Sequence, residues 1–198
     1  LNVFYTDIAL PDVDGVDTDI VFVIDTTGSM SDEINGVREN VKALAESIAK
    51  AARSYRIALV DYKDSPEEGD AYVARTDVDF TTDVSQFQAG ADALYADGGG
   101  DYAESVYSGV EQALNLKWRD GVKKSVFIIG DAPGKDPEPA SGLTQKDVIA
   151  KASSEGVALY PLGRVDYYDD SSDTETASPF GLLRSAPVDP NSKENQEA

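Results

Sequence analysis

The chain has 198 residues, with 37 Asp and Glu against 17 Lys and Arg, a formal charge of −20, and neither Cys nor His. These absences exclude Ser-His-Asp chemistry, a Cys nucleophile, disulfides and an ordinary zinc site. The acidity argues against nucleic acid, whose phosphates demand clustered Lys and Arg, and against an anionic membrane surface.

A hydrophobic content of 41% suffices for the core of one domain of moderate size. No apolar run approaches the ~20 residues that span a bilayer, so no direct membrane insertion is expected. The chain begins Leu1-Asn2-Val3 without Met, so it is expected to be part of a larger multidomain protein. Residues 1–18 read as an acidic lead-in or linker, with a short strand at Val3-Phe4-Tyr5, 19–185 as the domain, and 186–198 as a polar tail. The Asp residues of the lead-in lack the Gly and distal Glu of an EF-hand loop.

Ile20-Val21-Phe22-Val23-Ile24 is a continuous β-branched and apolar run, the pattern of a strand buried on both faces of a parallel sheet. It stops at Asp25-Thr26-Thr27-Gly28-Ser29-Met30-Ser31. Ile34, Val37, Val41, Leu44 and Ile48 then recur at helical steps, and Ser31, Asp32 and Glu33 suit the start of that helix. A second strand follows at Tyr55-Arg56-Ile57-Ala58-Leu59-Val60-Asp61-Tyr62. From residue 71 to 80 the pattern alternates, with Tyr72, Ala74, Thr76, Val78 and Phe80 on one side. This predicts a half-exposed edge strand reached through a hairpin.

Val84, Phe87, Ala91 and Leu94 give a short helix. Asp97-Gly98-Gly99-Gly100-Asp101 is a glycine loop, and the spacing predicts a helix over about 102–116. Ser125-Val126-Phe127-Ile128-Ile129-Gly130 is another apolar strand, ended by Asp131. Thr144 caps a further helix that Gly156 ends, and Val157-Ala158-Leu159-Tyr160-Pro161-Leu162 is the last clear strand. Beyond Arg164 the signal weakens to an acidic loop with Asp166, Asp169, Asp170 and Asp173 and one short helix near 180–184. The alternation predicts an α/β fold: three layers, doubly wound around a mostly parallel sheet with one antiparallel edge strand. Sites in such sheets lie at the carboxyl ends of the strands.

Three strand-to-loop junctions carry polar residues there: Asp25-x-Thr27-x-Ser29, the glycine loop with Asp101, and Asp131. Alternate residues of an extended loop point the same way, so Asp25, Thr27 and Ser29 can face one point. Hydroxyls with carboxylates suit a hard, oxygen-bound cation: Mg²⁺, with Mn²⁺ or Ca²⁺ as alternatives. Hydroxyl ligands leave charge on the metal unneutralised, so it wants an outside carboxylate. Each residue also has a plainer reading. Ser29 and Asp101 suit helix caps, and Asp131 suits a turn before Pro133.

Asp25-Thr26-Thr27-Gly28-Ser29-Met30 resembles the Asp-x-Ser-x-Ser element of the von Willebrand factor type A (VWA) family, which forms its metal-ion-dependent adhesion site. Asp131 in Ile129-Gly130-Asp131-Ala132 matches the family's metal-site Asp after the fourth strand. The likeness covers roughly 19–163. It implies a Rossmann-like VWA fold and a Mg²⁺ held by Asp25, Thr27, Ser29, Asp101 and Asp131, with a partner's carboxylate completing the shell. Thr27 stands where Ser is common and preserves the hydroxyl. Gly100 occupies the place of the family's glycine-loop Thr, and Asp101 replaces that Thr as ligand, directly or through water. The segment after Arg164 matches the family's mobile last helix poorly.

The leading expectation is therefore a non-enzymatic adhesion or protein-binding module, extracellular or at the cell surface, of bacterial adhesin type. An intracellular assembly or scaffold subunit is the alternative. A Mg²⁺-dependent phosphoryl-transfer enzyme using Asp25 is a distant third, because Thr27 stands where such enzymes place a second Asp.

Overall fold

The computed structural model describes residues 12–66, 69–100 and 103–163. The strand expected at Val3-Phe4-Tyr5, the acidic loop from Asp166 to Asp173 and the helix near 180–184 lie outside the described residues, as does Asp101.

Five strands form one sheet in the order β3-β2-β1-β4-β5. They are β1 (Asp17–Asp25), β2 (Ser54–Tyr62), β3 (Ala74–Thr81), β4 (Lys123–Gly130) and β5 (Val157–Gly163). β1 lies parallel to both β2 and β4, β5 is parallel to β4, and only β3 is antiparallel. The helices are α1 (Ile34–Ala51), α2 (Val84–Ala93), α3 (Val106–Leu114) and α4 (Gln145–Glu155). Among the described residues no helix is long and apolar enough to cross a membrane.

The apolar run of β1 is buried on both faces because successive side chains enter different cores. Ile20, Phe22 and Ile24 meet α1 and α2 through Val37, Val41, Ile48 and Phe87. Val21 and Val23 meet α3 and α4 through Val106, Val110, Val148 and Ala152. Thr144 caps α4 as expected: its hydroxyl accepts from the Asp147 N–H, and the Asp147 carboxylate accepts from the Thr144 N–H at 2.9 Å. Gly156 ends the helix in the left-handed conformation, φ 66°.

Three local expectations are corrected. On β3, Val78 packs with the α1/α2 core, whereas Ala74 and Phe80 pack with the α3/α4 core. Strict alternation fails because the β2–β3 register shifts twice, between Val60 and Leu59 and between Leu59 and Ile57. Each extra residue on β3 turns the following side chains to the other face. The helix after the glycine loop starts at Val106 rather than near 102. Glu104 is engaged elsewhere, bridging to Gly134 with its N–H bonded to Pro133 O at 2.9 Å. Residues Gly28–Asp32 form a 3₁₀ turn, and α1 begins only at Ile34. Ser31 does not cap α1; its hydroxyl donates back to Gly28 O.

At the amino ends of the strands a buried carboxylate locks the sheet. Asp19 is fully buried and accepts from Arg56 Nε at 3.1 Å, Arg119 Nε at 2.8 Å and the Arg119 N–H at 2.9 Å. Burial pushes the Asp19 carboxyl up, but the hydrogen bonds from Arg56 and Arg119 outweigh it and hold the acid below the usual range. Because the folded value is depressed, the stabilisation is complete above the unfolded value and fades as pH falls through the folded one. Asp19→Ala strands two cations and is expected to cost about 3–5 kcal/mol at pH 7. In urea unfolding the gap from wild type should narrow below pH 3.8, the ordinary Asp value.

Candidate metal centre

β1 and β4 are neighbours in the sheet, yet the chain leaves β1 toward β2 on one side and reaches β4 only after β2 and β3 on the other. The connections therefore diverge at their carboxyl ends and leave a crevice there. Asp25 is the last residue of β1 and Asp131 the first after β4. Four of the five residues singled out from the sequence meet in this crevice. Asp25 Oδ1 accepts from the Thr27 N–H at 2.9 Å and from Thr27 Oγ1 at 2.7 Å. Thr27 Oγ1 lies 3.2 Å from Ser29 Oγ, which donates to Asp131 Oδ1 at 2.9 Å. The row runs from buried to open: Asp25 and Thr27 are buried, Asp131 is half-buried and Ser29 is exposed. The fifth residue, Asp101, lies outside the described residues.

Glycines let these groups approach. A Cβ on Gly28 would sit 2.8 Å from Gly98 O, the acceptor of the Gly28 N–H at 2.9 Å. A Cβ on Gly130 would collide with Tyr62 OH and stand 3.0 Å from Asp25 Oδ2. Both contacts are too short for any side chain, so these positions hold the loops together by lacking one.

The structure adds residues that periodicity does not reveal. Glu104 is 2% exposed, and its carboxylate faces the Thr27 side chain. Its Oε2 has no hydrogen-bond partner among the described residues. Asp70 accepts from the Gly99 N–H at 3.2 Å and from the Asp64 N–H at 3.1 Å. Asp64, also buried, takes both oxygens to Lys135 Nζ at 2.6 Å. In the sequence Glu104 passes as a first-turn helix residue, and nothing in its spacing marks it.

Burial pushes the Asp25 carboxyl up to about 7, with the Asp131 charge adding to the effect and the Thr27 donors opposing it. Burial, then the charges of Asp25 and Asp64, pushes Glu104 to about 9. Among the described residues no three acidic side chains form a ready metal cluster. The donor set is instead mixed, two hydroxyls with carboxylates. An orphaned buried carboxylate oxygen beside mutually repelling acids nonetheless fits a hard divalent cation. Asp25, Thr27, Ser29, Asp131 and Glu104 are the residues that could hold one.

The sequence pattern of the von Willebrand factor A domain matches residues 19–158, the stretch that contains this crevice. The chain belongs to that family. VWA domains generally serve protein–protein adhesion or assembly. The chain is similar to alpha-protein kinase vwkA of Dictyostelium discoideum, 30% identical over 122 residues, which are 58% of this chain and 18% of that protein. It is similar to hemicentin-1 of Mus musculus, 33% identical over 119 residues, 59% of this chain and 2% of that protein. The chain thus spans a small part of either relative's length. Among solved structures it resembles conserved hypothetical protein BatB of Bacteroides thetaiotaomicron with a TM-score of 0.54 at 13% identity, over 81% of this chain and 78% of that chain. That likeness shows the fold.

Because Asp25 holds its proton more tightly folded than unfolded, metal-free stability falls as pH rises from 3.8 to about 7. Asp25→Asn removes the buried charge and keeps an oxygen for the Thr27 donors. In EDTA at pH 8 it is expected to gain on the order of 1–3 kcal/mol in urea unfolding. At pH 4 the gain should vanish.

Proposed function

We propose that this VWA domain is a metal-dependent binding module, with Mg²⁺ held at the carboxyl ends of β1 and β4 and completed by a partner's carboxylate. The observation that carries this reading is the row Asp25–Thr27–Ser29–Asp131, linked by hydrogen bonds of 2.7–3.2 Å across the crevice. When bound there, the cation supplies an electrophilic point for a carboxylate oxygen. The chain's own residues divide the remaining work. Asp25 anchors from beneath, since its Oδ1 already orients Thr27 through two bonds. Thr27 and Ser29 offer neutral oxygens that leave the cation's charge for the partner. Ser29 and Asp131 stand at the open rim, where a partner arrives. Glu104 presents from the glycine-loop side an oxygen that has no partner among the described residues. Asp101 belongs to the same proposal as the replacement for the family's Thr.

The arrangement supports binding rather than catalysis. A phosphoryl-transfer reading needs Asp25 exposed as a nucleophile, and Asp25 is fully buried. The kinase relative shares only 18% of its length with this chain, so its name carries no activity over. The strong acidity supports an extracellular or cell-surface setting within a larger multidomain protein. Assembly inside the cell is the alternative.

Thermal unfolding tests the site directly. Mg²⁺ or Mn²⁺ at a hundred times its dissociation constant should stabilise the fold by about 2.7 kcal/mol, which is roughly 5–10 °C for a domain of this size. Asp25→Asn and Asp131→Asn should abolish that shift. A wild-type melting temperature indifferent to Mg²⁺, Mn²⁺ and Ca²⁺ overturns the reading.

A further inference from the structure

Lys63 follows β2 directly and is not part of the ligand row, yet its ammonium is buried under the site. Its side chain is 6% exposed. Nζ donates to Thr26 O at 2.6 Å, to Asp97 O at 2.8 Å and to Asp97 Oδ1 at 2.5 Å. A lysine ammonium has three N–H bonds, and all three are used. The lysine backbone is fixed as well, its N–H bonded to Val73 O at 2.9 Å and its carbonyl accepting from the Ser105 N–H at 3.3 Å.

These contacts join the two loops that build the crevice. Thr26 lies between Asp25 and Thr27, and Asp97 opens the glycine loop. The backbone continues the seam: the Asp97 N–H donates to Thr26 O at 3.1 Å, and the Gly28 N–H donates to Gly98 O at 2.9 Å. The lysine closes the buried end of that seam. We propose that Lys63 is a positioning residue of the metal centre, clamping the glycine loop to the end of β1 so that Asp25, Thr27 and the loop keep their spacing before a cation arrives. The proposal rests on the metal reading above. The physical advantage is preorganisation: a cation that finds its oxygens in place does not spend binding energy ordering two loops.

A clamp and a simple counter-charge predict opposite signs. A positive charge beneath a cation site repels the cation, so deleting it should tighten binding if charge alone mattered. Loss of a positioning contact behind ligands weakens metal binding, typically 10–100-fold. The experiment measures Mn²⁺ affinity by electron paramagnetic resonance of the free ion, for wild type, Lys63→Met and Lys63→Arg. Lys63→Met is expected to bind at least about tenfold more weakly despite losing a repelling charge, and Lys63→Arg to stay within about threefold. Amide hydrogen exchange without metal gives a second readout. In Lys63→Met the Gly28 and Asp97 amides should exchange faster, with those of central β1 unchanged.

Wild-type binding with equal or tighter binding in Lys63→Met overturns the role of the lysine alone. No Mn²⁺ binding by the wild type overturns the metal reading and this proposal with it. Should Lys63→Met not fold, Asp97→Ala replaces an exposed side chain and breaks one clamp contact. Faster exchange at Gly28 and Asp97 then supports the clamp, and unchanged exchange overturns it.

Discussion

A carboxylate at the end of the central strand is buried completely, and much of the upper half of the molecule is arranged around it. Asp25 has no cationic partner among the described residues; Thr27 donors and the Tyr62 hydroxyl at 3.4 Å are what it receives. Burial of an acid without a counter-charge costs several kcal/mol, and the rise of its carboxyl to about 7 expresses that cost. Asp131 sharpens it by adding negative charge nearby. Protonation relieves that cost, and under the metal reading proposed above a bound divalent cation would relieve it as well.

The opposite end of the sheet shows how the same fold treats an acid it satisfies itself. Asp19 is as buried as Asp25 and begins the same apolar run, yet two arginines hold it below the usual carboxylate range. β1 thus has a satisfied acid at its amino end and an unsatisfied one at its carboxyl end. The parallel connections explain the difference. At the carboxyl ends the loops diverge and leave room for a ligand, whereas Arg56 and Arg119 reach Asp19 from β2 and from the turn before β4.

The glycines, the buried Lys63 and the half-buried Lys135 are the remaining structural means. Gly28 and Gly130 permit contacts that any Cβ forbids. Lys63 and Lys135 are spent on Asp97 and Asp64, on the flanks of the crevice rather than in its centre. The net result is a crevice that stays acidic at its floor and open at Ser29 and Asp131.

Much of this was legible in the chain. Continuous β-branched runs at β1 and β4 can only be strands covered on both faces, and a polar Asp-x-Thr-x-Ser directly after such a run lies at a strand end. Those two facts place Asp25, Thr27, Ser29 and Asp131 on one edge of the sheet, because local sequence determines period and the parallel topology does the rest. The tertiary structure alone decided the faces of β3, since a bulge changes register without changing composition. It alone decided that Glu104, Lys63 and Asp70 belong to the site. Their positions depend on backbone pairings of Glu104 with residues 133–135 and on side-chain contacts of Lys63 with Asp97 and of Asp70 with Gly99, distant or loop-borne partners that no local pattern encodes. The sequence by itself determined which oxygens could gather; only the packing of the loops determined which acids would be buried beside them without a counter-charge.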